Sequence, residues 1–145
     1  MATNLIDHVA FATSQTDKTM EIFSILGFHN QLFHRQPIDK FDSLITKLQS
    51  AGGQVIELVE PRSSHSVVAK LLQDRAATIY HTAFFCDDLL STLQKLKIAG
   101  AVVVTEPMFI PYPVSEAHKL YKTSHLFHPN VGLFEVTGPV EDRLP

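Results

Sequence analysis

Four residues able to do chemistry sit inside apolar runs of this chain. His8 lies in Ile6-Asp7-His8-Val9-Ala10-Phe11 and Glu57 in Val55-Ile56-Glu57-Leu58-Val59. His81 lies in Ile79-Tyr80-His81-Thr82-Ala83-Phe84 and Glu135 in Leu133-Phe134-Glu135-Val136. An unpaired charge in such a run costs several kcal/mol to bury. Taken singly, each reads as a satisfied core histidine or a strand-edge carboxylate facing water. Taken together, two imidazoles and two carboxylates form a donor set for one borderline divalent ion: Zn²⁺, Ni²⁺, Co²⁺, Mn²⁺ or Fe²⁺. Such an ion would pair with both carboxylates and remove their burial cost. With four protein ligands, an octahedral ion keeps two positions for water or substrate.

The elements that must position these residues come in two copies. The first runs from Ile6–Phe11 through a polar break at Ser14–Asp17 into Met20–Gly27. The second runs from Ile79–Phe84 through Asp87-Asp88 into Leu89–Gly100. Each reads as a short strand, an N-cap, an amphipathic helix and a C-cap glycine. Met20, Phe23 and Leu26, and likewise Leu90, Leu93, Leu96 and Ile98, fall near helical spacing. Both copies end alike, in Glu57-Leu58-Val59-Glu60-Pro61 and Glu135-Val136-Thr137-Gly138-Pro139, with a carboxylate in an apolar strand and a proline four residues on. Between head and tail, strands are expected at Asn30–Arg35 and Asp42–Leu48 in the first copy, and at Ala101–Thr105 and Lys119–Phe127 in the second. A short helix, Ser66–Asp74, with Val67, Val68, Leu71 and Leu72 on its face, fills the linker.

The pattern predicts an α+β fold in one domain spanning 1–145: a βαβββ module over 1–61, a linker over 62–78 and a second βαβββ module over 79–140, with helices outside curved mixed sheets. If a pseudo-twofold axis relates the modules, His8 matches His81 and Glu57 matches Glu135. The four side chains then converge on a central cleft.

The bulk composition agrees with a folded, water-facing protein. A chain of 145 residues that is 45% hydrophobic and 19% charged can bury a proper core. Its net charge of −3 provides no field toward nucleic acid. No apolar run approaches the length that spans a bilayer, and no signal-peptide pattern opens the chain. The lone Cys86 beside Ala83–Phe85 reads as a buried structural thiol in a reducing compartment. A cytoplasmic location is the expectation.

Other residues carry plainer readings. His118, Lys119, Tyr121, Lys122 and His125 form a basic, aromatic run that reads as a strand with one solvated face. The functional alternative is a wall meeting an anionic tail through Lys119 or Lys122. His29, His34, His65 and His128 are expected to face water. Met108, Phe109 and Tyr112 either line a pocket or pack a loop. No phosphate loop or Ser-His-Asp ordering appears, and Asp39–Asp42 and Asp87-Asp88 read as turns and caps.

With these residues in view, the chain resembles the vicinal oxygen chelate superfamily, which holds glyoxalase I, methylmalonyl-CoA epimerase, extradiol dioxygenases and bleomycin-resistance proteins. Ile6–Phe11 and Leu26-Gly27-Phe28 carry the superfamily likeness over nearly the whole chain. Glu57–Pro61, Ser66–Leu72, His81–Phe84 with Asp87-Asp88-Leu89, and Phe127-His128-Pro129 before Gly132–Glu135 are similar to the methylmalonyl-CoA epimerase branch.

The resemblance implies His8, Glu57, His81 and Glu135 as metal ligands, with Glu135 also a catalytic base. It further implies epimerisation or isomerisation by proton abstraction α to a carbonyl, a small-molecule substrate such as an acyl-CoA or other thioester, and a homodimer. Glutamate at Glu57, where the epimerase branch often has glutamine, is shared with bacterial glyoxalase I. A lactoylglutathione-lyase-like activity is therefore one alternative, and a non-catalytic binding or resistance protein is another. Two stretches depart from the epimerase branch. Gln36–Asp42 lacks the acidic segment that supplies its opposing base, leaving Asp39 or Asp42 as stand-ins. Met108–Pro113 replaces its glycine-rich turn.

Overall fold

The computed structural model describes residues 5–112, 114 and 116–140. Pro113, at the end of the stretch beginning at Met108, lies outside them, as do the chain ends included in the span 1–145. The fold is α+β, and the chain divides into two compact units, His8–Tyr80 and the remainder. Among the described residues, no helix is long and apolar enough to cross a membrane.

In the first unit, β1 (Ile6–Thr13) runs parallel to β4 (Val55–Pro61), with Ala10 opposite Glu57. Strand β4 is antiparallel to β3 (Ser43–Gln49), which is antiparallel to β2 (Asn30–Ile38). Side chains alternate between the sheet's two faces. On one face Leu48, Ile56 and Leu58 form a core with Val9, Phe11, Met20, Phe23 and Phe28, against helix α1 (Thr16–Ile25). The Phe23 ring lies 5.0 Å from Phe11 and 6.0 Å from Phe28. Full burial of a residue such as Leu58 is worth about 1.5–3 kcal/mol. The opposite face carries His8, Ala10, Ala12, Lys47, Glu57 and Val59, all buried. Hydrophobic residues at odd positions of β1 and even positions of β4 thus aim the two polar ones away from the helix.

The second unit repeats the plan. Strand β5 (Ala77–Phe85) is parallel to β9 (Gly132–Pro139), with Ala83 opposite Glu135. Strand β9 is antiparallel to β8 (Tyr121–His128). Two short strands, β6 (Val102–Val103) and β7 (Met108–Phe109), both pair with β8. Helix α2 (Leu89–Ile98) buries Leu89 and Leu93 against Leu126, Phe134 and Val136.

Several expectations need correction. The inward stripe of α2 is buried Leu89 and Leu93 with half-buried Leu96, an i, i+4, i+7 set, while Leu90 and Ile98 are exposed, as is Leu26 after α1. Asp88 caps α2 by accepting the Ser91 backbone N–H, but Gln15 at the N-cap of α1 makes no side-chain cap bond. Both C-cap glycines hold: Gly27 and Gly100 have φ of +105° and +102°.

Strand β2 continues past Arg35 through Pro37, because it is an edge strand and its missing N–H breaks no second ladder. The linker helix Ser66–Asp74 shrinks to a 3₁₀ turn, Ala69–Leu72. Val68 alone of its expected face is buried, and the Ser66 hydroxyl is engaged with Ser43 at 2.9 Å.

The strand expected at Ala101–Thr105 is cut to Val102–Val103. Beyond it, Thr105 turns its carbonyl to the Ser124 hydroxyl (2.6 Å) and its hydroxyl to the His125 backbone N–H (2.9 Å). Strand β7 is an addition to the βαβββ pattern. Cys86 is half-buried, and burial is the main cause pushing its thiol pKa up.

Candidate metal centre

Within the first unit, β1 and β4 bring two of the sequence-predicted ligands together. His8 sits two residues before Ala10, on the same face, and Ala10 is the register partner of Glu57. The small alanine leaves the carboxylate room to lean along the strand toward the imidazole. His8 Nε2 lies 3.3 Å from Glu57 Oε2, with the side chains 0% and 5% exposed. From β3, Lys47 places its ammonium 3.5 Å from the same carboxylate oxygen, as the direct cross-strand partner of Glu57.

The second unit builds the same arrangement in the same register. His81 sits two residues before Ala83, the partner of Glu135. His81 Nε2 lies 3.1 Å from Glu135 Oε2, and both residues are buried. The cross-strand partner of Glu135 is His125, whose Nε2 is 3.4 Å from Oε2 and whose ring packs edge-on to His81.

The other carboxylate oxygen is held by a hydroxyl chain. Thr137 donates to Thr123 at 2.9 Å, and Thr123 donates to Glu135 Oε1 at 2.6 Å. His125 Nδ1 lies 3.0 Å from the Thr105 hydroxyl. An ionised carboxylate only accepts, so the tautomer that suits Glu135 carries hydrogen on His125 Nε2, with the Thr105 hydroxyl donating to Nδ1.

These half-sites fit a divalent ion chemically. In each, a carboxylate oxygen and an imidazole Nε2 approach to hydrogen-bond distance in a buried setting. Two such Lewis bases so close must share either a proton or a cation. Nitrogen and oxygen donors in equal number suit the borderline divalent metals.

Sequence reasoning passed over Lys47 and left His125 in a run read as a strand with one solvated face, without placing it at the site. The signal for both lay in strand register: each stands directly across from a glutamate of the repeat. The other expected residues lie elsewhere. Lys119 pairs with Glu116 at 2.5 Å, and the Lys122 ammonium sits 4.9 Å from the Phe109 ring centroid. His118 stacks on Phe85 and meets Tyr121 edge-on. Asp39 accepts from Arg62 at 2.6 Å, and Asp42 accepts from Ser63.

His29, His34 and His65 are exposed as expected, whereas His128 is half-buried, its Nε2 3.1 Å from the Ala99 carbonyl. A groove of about 510 Å³ between α1 and residues 76–79 is lined by Phe11, Phe23 and Ile22, on the helix side of the sheet, away from the His8 face.

Solved structures share this fold. Methylmalonyl-CoA epimerase from Mycobacterium tuberculosis superposes with a TM-score of 0.73 at 23% identity, covering 97% of this chain and 93% of that one. A hypothetical protein from Bacillus halodurans gives 0.72 at 22%, covering 99% of both chains. Streptomyces coelicolor methylmalonyl-CoA epimerase in complex with 2-nitronate-propionyl-CoA gives 0.71 at 18%, covering 95% of this chain and 99% of that one. No curated protein sequence matches significantly. The family model for the glyoxalase/bleomycin resistance protein/dioxygenase superfamily matches residues 7–113, and the chain, with its two register-matched His–Glu pairs, belongs to that superfamily.

Proposed function

We propose that this protein is a metal-dependent isomerase or epimerase that removes a proton α to a carbonyl, with an acyl thioester such as an acyl-CoA as the substrate class. The observation that carries the reading is the repeat of one buried His–Glu pair in one register, Ala10 opposite Glu57 and Ala83 opposite Glu135. The solved epimerases of the same fold support the substrate class. His8, Glu57, His81 and Glu135 would be the protein ligands of a divalent ion. When bound, the ion supplies Lewis-acid stabilisation of negative charge on a substrate oxygen.

Glu135 is the base. The α C–H bond breaks, its electron pair moves toward the carbonyl as an enolate, and the proton ends on a carboxylate oxygen of Glu135. The Thr123 hydroxyl on Oε1 fixes the plane of that carboxylate, so Oε2 keeps its direction toward His81 and His125. A proton delivered to the opposite face by water inverts the centre, and Glu135 gives its own proton up to solvent to complete the turnover.

Two measurements test the reading. Protein purified without chelator should carry about one divalent ion per chain. In D₂O it should exchange the α-proton of candidate acyl-CoA thioesters, and Glu135→Gln should remain folded with exchange lowered by two orders of magnitude or more. An unimpaired Glu135→Gln variant would defeat it. A second reading is favoured by the carboxylate at Glu57: isomerisation of a thiol adduct in the manner of glyoxalase I, assayed with the hemithioacetal of methylglyoxal and glutathione. Ligand binding without metal or turnover would instead mark a sequestering protein.

A further inference from the structure

Glu57 and Glu135 occupy equivalent positions, yet their cross-strand partners differ: an ammonium from Lys47 and an imidazole from His125. Lysine is rarely buried unless paired, and Lys47 is 7% exposed with its Nζ 3.5 Å from Glu57 Oε2. This is the carboxylate oxygen that also faces His8 Nε2. A cation held there competes for the same oxygen that a metal would use.

We propose that Lys47 is a positioning residue that fixes Glu57 as the non-reacting carboxylate and weakens the hold of the site on its divalent ion. The inference rests on the metal-dependent reading above. With neutral imidazoles, His8, Glu57 and Lys47 together carry no net charge. A divalent ion at the His8–Glu57 pair therefore meets no net negative charge from its own module. In the second module the hydroxyl chain and His125 orient Glu135 without adding a fixed cation, leaving that carboxylate able to take up a proton.

The test compares Lys47→Met, which keeps most of the apolar stem and removes the ammonium, with Lys47→Arg, which keeps a cation. Zn²⁺ and Co²⁺ affinities of the full-length chain are measured by competition with a chromophoric chelator at one pH, with circular dichroism verifying the fold. Lys47→Met should bind at least tenfold more tightly than the wild type. Its metal-free form should melt at lower temperature, because Glu57 has lost the ammonium beside its carboxylate. Lys47→Arg should bind within about threefold of the wild type. These opposed shifts in metal affinity and metal-free stability are not what a purely structural lysine gives.

A folded Lys47→Met variant whose affinity is unchanged or weaker overturns the inference. The metal reading itself survives in that case, provided that wild-type binding is lost in His81→Ala. Binding by neither the wild type nor Lys47→Met sinks both.

Discussion

The Thr123 hydroxyl donates to Glu135 Oε1 at 2.6 Å, and it is itself the acceptor of the Thr137 hydroxyl at 2.9 Å. Both threonines lie on the face that carries Glu135, in register across β8 and β9. The chain therefore points its last hydrogen at the carboxylate and orders the one side chain proposed to move a proton.

Thr123→Val removes that hydrogen while keeping the shape. The loss takes the 2.6 Å donor from Glu135 Oε1 and leaves it the longer 3.5 Å contact from the Thr137 hydroxyl, at a cost of about 1–3 kcal/mol. Urea unfolding of metal-free protein should report this drop. α-Proton exchange should fall at least tenfold, because the carboxylate is no longer held in one plane. A variant with full stability and full exchange would remove Thr123 from the site.

Ala83 and Ala10 are fully buried and stand opposite the two glutamates. Replacing Ala83 with leucine puts a branched chain where the Glu135 carboxylate leans toward His81. Overpacking of this kind costs about 1–3 kcal/mol, and metal content should fall with it. Val136→Ile, a smaller enlargement on the helix side of β9, should lower stability without lowering metal content per folded chain. Equal metal loss in both variants would break the link to the site face.

Much of this was legible in the sequence because strand alternation is a strong signal. The apolar neighbours of His8, Glu57, His81 and Glu135 made four polar residues on strands conspicuous, and the repeat set them in corresponding places. Lys47 and His125 were not legible in the same way. Each lies on a middle strand whose register depends on a hairpin, and nothing local says that Lys47 is opposite Glu57 rather than facing water. Helix edges failed for a related reason: Leu90 and Ile98 are as apolar as Leu89 and Leu93, and only packing against Leu126 and Phe134 selects the buried pair. The linker helix failed because the Ser66 hydroxyl bonds to Ser43, a partner distant in sequence.

Gly138 is required by close approach. A Cβ there would lie 2.7 Å from both the carbonyl oxygen and the sulfur of Cys86. The backbone oxygen cannot swing aside as a side chain would, since the Cys86 amide is tied to the Thr137 carbonyl at 2.9 Å. Gly138→Ala should cost about 1–3 kcal/mol through this overpacking, and Cys86→Ala should recover only part of it. Complete recovery would place the clash on sulfur alone.

Burial raises the Cys86 thiol pKa above that of an ordinary cysteine. Because the thiolate is the reactive form, iodoacetamide at pH 8 should modify the native protein more slowly than the urea-unfolded chain. The linkage follows in sign: the contribution to stability is complete below the unfolded thiol's pKa and is lost as pH rises through the higher folded value. Stability of the wild type relative to Cys86→Ser should therefore decline above about pH 9. A native thiol alkylated as fast as the unfolded one would remove the burial effect.

Whether the two His–Glu pairs serve one ion or two can be read from stability. A ligand that binds only the folded chain stabilises it by RT ln(1 + [L]/Kd), about 4 kcal/mol at a thousandfold excess over Kd. Zinc or cobalt added to chelator-treated wild type should raise Tm accordingly, and EDTA should reverse the rise. If one ion is shared, His8→Ala in the first module and His81→Ala in the second should each remove most of the gain, and combining them should add little, because residues acting on one ligand are not additive. Two separate sites would instead leave each single variant with roughly half of the response and the double variant with none. Isothermal titration of the same proteins fixes the count, since a shared ion gives a stoichiometry near one per chain. Two ions per chain would end the common-centre proposal while leaving each His–Glu pair as a ligand site in its own module.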